Sequence, residues 1–516
     1  MQRLCEHLPK IARYAVSATT AKTWTIECSV RQKSALSTSA IIRPSAQRIL
    51  PNRLIANGLV GRNWKAQLAE RAFSCYSMVS QSTDFPASST ISIESTAKRS
   101  KIMTSRSVGL WMVGSAALVF GIVVIGGLTR LTESGLSITE WKPVTGMIPP
   151  ITQSEWEEEF EKYKKSPEYK LLNSQMTVDE FKFIFFMEWS HRLWGRMIGL
   201  TFVIPGAYFI LRGRTSPRVT RRIFGIACLI GFQGFIGWWM VKSGLSDHFL
   251  EDGVEGKHND NHPRVSQYRL ATHLGLAFMV YLAMLWTGLE VLRENKWAKN
   301  PPGALQTFSQ LSNPTLKRYK LFATGLLALV FTTAMSGAFV AGLDAGLIYN
   351  EFPYMGETII PPTKEIFSTF YSRAKDDADL IWRNMLENPV TVQLEHRILA
   401  TTSFFSILAF HFFYSVPLYK SGLLPRTVFR ASHGVIGFAF LQVTLGITTL
   451  LYLVPIPLAA AHQMGSLALL TEVLVLCGRL RVPRASVVEI LKRSNKAAAA
   501  PSLSSTTAKT TKVLEP

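Results

Sequence analysis

The apolar residues of this chain gather in runs of about 20, the length that crosses the hydrocarbon core of a bilayer as a helix. Runs without charged residues extend from Ser107 to Thr129, from Ile223 to Val241 and from Leu321 to Leu343. A longer apolar stretch after Arg430 is divided in two by Pro455 and Pro457. These runs exclude an ordinary soluble domain and predict spans 1, 3, 5, 7 and 8 of a membrane protein.

Three further apolar stretches carry ionisable residues near their starts. They cover residues 182–211, 268–292 and 391–419 and are predicted as spans 2, 4 and 6. The fold class predicted is therefore an all-α integral membrane protein with eight transmembrane helices. A hydrophobic content of 47% against only 18% charged residues agrees with this class.

The N-terminal segment has the composition of a mitochondrial transit region. It is rich in Arg, Lys, Ser, Thr and Ala, and Arg3, Lys10, Arg13 and Lys22 are spaced among apolar residues as in an amphipathic basic helix. The alternative is a disordered basic tail. A secretory signal is disfavoured because no compact apolar core follows the start.

The basic residues alternate from one side of the membrane to the other. The chain has 56 Lys and Arg against 35 Asp and Glu, and the excess lies before span 1, in loops 2, 4 and 6 and in the C-terminal tail. Loops 1, 3 and 5 are acidic, so the two sides are called here the basic side and the acidic side. The positive-inside rule predicts a multi-pass protein of the mitochondrial inner membrane with both termini in the matrix. A nucleic-acid partner is excluded because no single face or helix collects the charge.

The two halves of the chain are related by an internal repeat. The segment Gly126–Pro150 resembles Gly337–Pro362, and matches of the QGFIG and QVTLG type follow in the same order. Four helices per repeat is an even number, so both copies have the same orientation, which predicts two parallel four-helix bundles. The predicted organisation is a transit and flexible segment at 1–104, a first bundle at 105–295, a matrix linker at 296–317, a second bundle at 318–482 and a polar tail at 483–516.

Four histidines occupy matched positions in the repeat. His191, His273, His396 and His462 each lie near the start of an even-numbered span, which places all four at one depth near the acidic side. Ionisable residues in a membrane are costly and usually mark function. One histidine on each of two facing helices is the arrangement that holds a haem iron from both sides. The predicted pairs are His191 with His273 and His396 with His462.

Charged residues beside these histidines have further predicted roles. Arg192 and Arg397 directly follow a histidine, and a guanidinium suits a haem propionate, although binding to lipid phosphate is an equal alternative. Glu188 lies three residues before His191, hence on the same helix face, whereas Gln393 lies at the equivalent place in the second half. This asymmetry predicts unequal duties for the two halves, with Glu188 as the catalytic group.

Other cofactor chemistries lack their sequence motifs. The five cysteines show no CxxC or paired spacing, which argues against a zinc site, an iron–sulfur cluster or a disulfide framework. No GxGxxG, Walker or flavin pattern is present in the sequence. Electrons for a haem reaction must therefore come from a separate carrier.

The motifs together resemble a known family. The segment GGLTRLTESGLSITEWKPVTGMIPP, followed by EWSHRLWGR, ATHLGLA, EHRILA and AAHQMGSL, resembles the mitochondrial haem A synthases over about residues 105–482. The resemblance implies an eight-span oxidoreductase that acts on a CH group, converting the methyl at porphyrin carbon 8 of haem O into the formyl group of haem A for cytochrome c oxidase. The cysteine pair of some bacterial relatives is missing between Ser134 and Glu188.

The same resemblance implies the ligands and the partners. His396 and His462 would hold a resident haem b, and His191 and His273 would receive haem O. The implied electron donor is a matrix ferredoxin, and haem O synthase and a second copy of the chain are the other partners considered. Two other functions remain as alternatives at this point. A two-haem electron carrier similar to cytochrome b would use the same four histidines, and a repeat-built transporter is disfavoured because the histidines lie toward one side of the membrane.

Overall fold

The computed structural model of the protein describes residues 103–142, 145–246 and 263–499. The predicted transit region and the loop histidines His248, His258 and His262 lie outside these residues, apart from the last two positions of the transit region. Eight of the described helices are long and apolar enough to cross a membrane, as predicted. In chain order, spans 1 to 8 are Arg106–Leu131, Val178–Leu211, Pro217–Gly244, Gln267–Trp297, Leu316–Gly342, Pro389–Lys420, Arg426–Leu451 and Ile456–Arg479.

Local capping explains where several spans begin. Span 2 begins at Val178, earlier than its apolar run, because Thr177 and Glu180 form a capping box that satisfies the first free N–H groups. Spans 3 and 6 begin with Pro217 and Pro389 at the first helical position, where proline removes an N–H that has no partner within the helix. Each of these helices therefore begins before the apolar stretch that marks its span in the sequence.

The eight spans pack as two groups of four, which is consistent with the repeat. Span 1 packs on spans 2 and 4, and span 3 packs on span 4; in the second half, span 5 packs on spans 6 and 8, and span 7 packs on span 8. The two groups meet along spans 1, 4, 5 and 8. Fully buried side chains such as Met112, Phe278, Met284 and Leu467 fill the centre.

Loop 1 on the acidic side contains helices that share an apolar cluster with span 2. Its helices Gln153–Lys164 and Pro167–Leu171 lie over the start of span 2. Aromatic side chains hold them there, and the ring of Tyr163 stacks on that of Phe181 at 5.2 Å between centroids. Loop 1 is therefore a fixed structure above the first group of spans.

Two segments on the basic side differ from the linker and the tail that the sequence indicated. Residues Ala304–Ser312 form a helix within the predicted linker, and Ala485–Ala499 form a helix within the predicted polar tail. Val487 and Leu491 bury their side chains against Phe308, so the two helices pack on each other. Each helix has one apolar face, but the few apolar residues on it do not change the polar composition of the whole segment.

Candidate functional site

The four repeated histidines lie in two pairs with the same separation. The imidazole centroids of His191 and His273 are 6.4 Å apart, and those of His396 and His462 are also 6.4 Å apart. Two imidazoles that bind one metal ion from opposite sides, through nitrogen–metal bonds of about 2 Å, have centroids roughly 6 to 6.5 Å apart. Both pairs therefore have the ring separation that axial ligation of a haem iron requires.

A glycine on an odd-numbered span faces each imidazole. The four glycines occupy repeat-equivalent positions, and a Cβ atom built on any of them would crowd the histidine ring. The nearest ring atoms would be 3.0 Å away for Gly126 and His191, 3.0 Å for Gly237 and His273, 3.2 Å for Gly337 and His396, and 2.9 Å for Gly446 and His462. The helices can thus approach the rings only because no side chain is present. These glycines marked the repeat in the sequence, but their contact with the imidazoles was not predicted, although their recurrence in both halves is the signal for it.

Two glutamines repeat a second contact. The side-chain amide of Gln233 donates to the backbone carbonyl of His273 at 2.8 Å, and that of Gln442 donates to the carbonyl of His462 at 3.0 Å. Span 3 is thereby tied to span 4, and span 7 to span 8, at the level of the histidine. This role of the two glutamines was not predicted from the sequence.

The imidazole of His396 has a fixed orientation and tautomer. The hydroxyl of Ser336 donates its single hydrogen to the carbonyl of Thr333 at 2.7 Å, so its oxygen accepts from Nδ1 of His396, also at 2.7 Å. A proton on Nδ1 leaves the lone pair of Nε2 free to bind a metal. The sequence position that corresponds to Ser336 in the first half is Ile125, which has no hydroxyl.

The first pair lacks such contacts within the described part of the chain. Nδ1 of His273 is buried and has no hydrogen-bond partner there, and the ring of His191 makes no hydrogen bond to a described residue. In the second pair, by contrast, Nδ1 of His462 lies 3.1 Å from the side-chain amide of Gln442. The two pairs therefore share one separation but differ in how firmly their rings are held.

Glu188 lies in a buried pocket between span 2 and loop 1. Glu188 is only 2% exposed to solvent. Oε2 accepts hydrogen bonds from the Ser137 hydroxyl at 2.8 Å and the Ile138 N–H at 2.7 Å. The guanidinium of Arg192 lies 2.6 Å from Oε1 as an ion pair, but its N–H groups are directed at loop carbonyls, so Oε1 has no aligned hydrogen bond.

The second half repeats this connection between loop and helix with different chemistry. The amide of Gln393 donates to the carbonyl of Tyr349 at 3.0 Å, and Arg397 donates to the same carbonyl at 3.0 Å. In the first half, Arg192 donates to the carbonyls of Ile138 at 2.9 Å and Glu140 at 3.2 Å. Both arginines therefore anchor a loop on the acidic side. Their predicted contact with haem propionates remains a prediction.

A second buried carboxyl lies in loop 1. Glu168 is 4% exposed and accepts a hydrogen bond from the Tyr163 hydroxyl at 3.1 Å, which in turn accepts one from Asn173 at 2.8 Å. Burial raises the pKa of Glu168 to about 8, and the nearby charge of Glu188 adds to this rise. A single Glu in a polar loop carries no sequence signal, so this group was not found from the sequence.

Two other histidines lie together outside the pairs. The rings of His411 and His433 have centroids 4.6 Å apart, and His411 lies in a wide turn of span 6 at Phe410–Ser415. Nδ1 of His411 is 3.1 Å from the Ser432 hydroxyl. Within the described residues, no three His, Cys, Asp or Glu side chains cluster as a metal site.

Known proteins share the whole membrane part of this chain. A family model described as cytochrome oxidase assembly protein matches residues 109–474. A relative from Saccharomyces cerevisiae, named heme A synthase COX15, is 55% identical over 409 residues, which cover 79% of this chain and 82% of the relative. The chain belongs to the haem A synthase family. A human member of this family with the same name is 46% identical over 412 residues, covering 79% of this chain and 90% of the relative.

A third member of the haem A synthase family differs in its domain content. The relative from Schizosaccharomyces pombe is named heme A synthase-mitochondrial ferredoxin fusion protein and is 50% identical over 382 residues. The match covers 73% of this chain and 60% of that relative. With mitochondrial haem A synthases at this identity and eight apolar helices, the chain is a multi-pass mitochondrial membrane protein.

The residues of this haem A synthase family member fit a bound haem. The two 6.4 Å separations suit an iron between the rings, the four glycines leave room beside each ring, and Nδ1 of His396 is held as a donor.

Proposed function

We propose that this chain acts as a haem A synthase, oxidising the methyl at porphyrin carbon 8 of haem O to a formyl group. The observation that carries the proposal is the pair of equal histidine separations, 6.4 Å in each half, in a chain of the haem A synthase family. Two histidine pairs, each with the ring separation for one haem iron, suit an enzyme that needs a resident haem and a substrate haem.

The two pairs are proposed to have different occupants. His396 and His462 hold a resident haem b, which when bound supplies one-electron transfer. This assignment is supported by Ser336, because a hydrogen bond to the second ring nitrogen fixes the ring and raises its basicity as a ligand. His191 and His273 receive haem O. Their rings have no hydrogen-bond partner among the described residues, so they can move as the substrate enters and the product leaves.

Glu188 is proposed as the catalytic group of the first site. It lies three residues before His191 and therefore on the same face of span 2. A carboxyl there can hold or move a proton at Oε1, the oxygen that has no aligned hydrogen bond, while Ser137 and Ile138 fix the position of Oε2. When the Glu188 carboxyl is ionised, the guanidinium of Arg192 compensates its negative charge.

The proposed electron donor is a matrix ferredoxin. We propose two successive hydroxylations of the methyl, followed by loss of water from the resulting gem-diol. Each hydroxylation uses O₂ as the oxidant, takes up two electrons and two protons and releases one water, and the sequence holds no flavin or nicotinamide motif that could supply those electrons. The fusion relative joins a haem A synthase and a mitochondrial ferredoxin in one chain. This fusion supports a ferredoxin as the electron donor of the present protein.

The proposed orientation places both termini in the matrix. It rests on the basic residues of loops 2, 4 and 6 and on the positive-inside rule. A protease-accessible tag in loop 1 or loop 5 should be cleaved from the intermembrane space, and one at the C-terminus only after the inner membrane is opened. The reverse pattern would overturn the orientation while leaving the haem assignments untouched.

Haem extraction tests the function. We expect expression of the chain in cells that lack haem A synthase to restore haem A, and His396→Ala or His462→Ala to abolish the low-spin haem b spectrum of the purified protein. His191→Ala should keep that spectrum and lose haem A. Two full equivalents of haem b in the purified protein, with no haem A formed in cells, would favour the electron carrier instead.

A further inference from the structure

A cavity lies at the basic side, where the two groups of spans meet. Its volume is about 350 Å³, and its lining comes from both groups. Trp286 belongs to span 4 and so to the first group, whereas Lys320, Cys477 and Arg481 belong to span 5, to span 8 and to the residues just after span 8. The cavity lies far along the spans from the histidines, which are near the acidic side, so it is separate from the proposed haem sites.

Lys320 brings an uncompensated positive charge to the cavity. Its ammonium donates one hydrogen bond, to the carbonyl of Leu311 at 2.7 Å, and so retains two further N–H donors. No carboxylate of the described residues forms an ion pair with it. Lys320 lies in the second turn of span 5, which is the depth of the lipid headgroups if Leu316 begins the span at the membrane surface.

Arg481 brings the second positive charge. Its guanidinium lies over the ring of Trp286, 5.0 Å from the centroid, and 3.7 Å from Glu290. Glu290 is closer to two other guanidinium groups, those of Arg222 at 3.0 Å and Arg218 at 3.4 Å. Because that carboxylate is already shared, the charge of Arg481 remains available to a ligand in the cavity.

The wall of the cavity is apolar below these cations. Cys477 and Leu480 are buried, and the thiol of Cys477 is directed at the carbonyl of Ala323 at 3.3 Å. Val482, which also lines the cavity, is 39% exposed, and Leu321, which follows Lys320 directly, is 69% exposed. Exposed apolar side chains next to a partly buried cation, Lys320, and an exposed one, Arg481, form a surface that suits a molecule with an anionic head and apolar chains.

We propose that this cavity binds the phosphodiester headgroup of an anionic phospholipid. Basic pockets between membrane helices on the matrix or cytoplasmic side bind such headgroups, with the acyl chains lying along the helix surface. Lys320 and Arg481 hold the phosphate, Trp286 packs against the headgroup, and the chains begin at Val482 and Leu321. A volume near 350 Å³ lies at the lower end of the range for small-molecule sites and accommodates a headgroup. The bound lipid would join the two groups of spans.

Lipid binding by the full-length protein tests the proposal. The protein is purified in detergent, mixed with phosphatidylglycerol or phosphatidylcholine, and examined by native mass spectrometry for retained lipid. We expect wild type to retain phosphatidylglycerol over phosphatidylcholine. Each of Lys320→Gln and Arg481→Gln should bind phosphatidylglycerol about fivefold more weakly and the double variant about thirtyfold, since each cation near a membrane surface contributes about a factor of five.

A matched control uses a cation outside the cavity. Arg318 is exposed on the same helix as Lys320, and Arg318→Gln should leave lipid retention unchanged. Normal low-spin haem spectra in all variants show that the fold is intact, and the single variants serve if the double variant does not fold. Equal retention by wild type and the double variant would overturn the proposal. It would also be overturned if inorganic phosphate raised the melting temperature of the protein while phosphatidylglycerol did not, since a free anion would then be the ligand.

Discussion

Nδ1 of His396 lies 2.7 Å from the hydroxyl of Ser336, and the repeat places Ile125 where the first half would need that serine. The two histidine pairs have the same separation, yet among the described residues a hydroxyl orients a ring only in the second pair. This difference in support agrees with the proposal that the second pair holds a resident haem and the first pair an exchangeable one.

Ser336→Ala should weaken the resident haem site. Loss of the hydrogen bond frees the His396 ring and lowers its basicity, and loss of such a contact typically costs about 10- to 100-fold in metal affinity. Titration of haem into the apoprotein, followed by absorption, measures the change. Ser336→Thr keeps the hydroxyl and should retain most of the affinity. An unchanged affinity for Ser336→Ala would show that the contact does not support the ligand.

Gly446→Ala should displace the imidazole of His462. The added Cβ would lie 2.9 Å from Cε1 of that ring, a distance that requires the ring or span 7 to shift. We expect the low-spin haem b spectrum to be lost or changed to high spin. A Cβ added at Gly437, on the same span, would meet no atom within 4 Å, so Gly437→Ala is the matched control and should bind haem normally. Equal spectra for both variants would contradict the proposed contact.

Glu188→Gln separates a proton-handling role from a structural one. The amide oxygen can still accept from Ser137 and Ile138, so loop 1 should stay anchored, but the amide cannot exchange a proton. Haem A formation in cells should fall by about 10² to 10⁴, while haem b is retained. Ser137→Ala removes one hydrogen bond and keeps the carboxyl, so it should form far more haem A than Glu188→Gln. A similar loss in both variants would assign Glu188 a structural role.

Glu168 should make the stability of loop 1 depend on pH. Its pKa is raised in the folded protein from an ordinary 4.5 to about 8. Between these values the folded state keeps a proton that the unfolded loop releases, so stability falls as pH rises through this range and reaches its lower limit above about pH 8.

Limited proteolysis of loop 1 in the reconstituted protein measures this effect. Wild type should be cleaved faster at about pH 8 than at about pH 6, and Glu168→Gln should remove most of the difference because a glutamine cannot ionise. Glu157 is exposed on the neighbouring helix, so Glu157→Gln should keep the wild-type dependence. If Glu168→Gln retained the full pH dependence, another group would be responsible.

The spans and the repeat were predictable because their signals are local. A bilayer requires about 20 apolar residues for each crossing, and eight such stretches are present in the described helices. The histidines were found because a costly polar residue recurs at one depth in a repeat. Loop 1 and the helix Ala485–Ala499 were not predicted as structure, because their apolar residues form short faces within polar segments.

The sequence by itself determined the eight-helix membrane class, the two related halves and the four histidines. Hydropathy and repeat spacing are properties of residue order along the chain and do not depend on how the helices pack. Only the tertiary structure decided which atoms lie beside those histidines. Ser336 contacts His396, Gly446 faces His462, and the Glu188 carboxylate accepts hydrogen bonds from loop 1. In each case the two partners come from different helices or from a helix and a loop. Such contacts depend on the rotation and crossing of packed helices, which residue spacing along one helix does not specify.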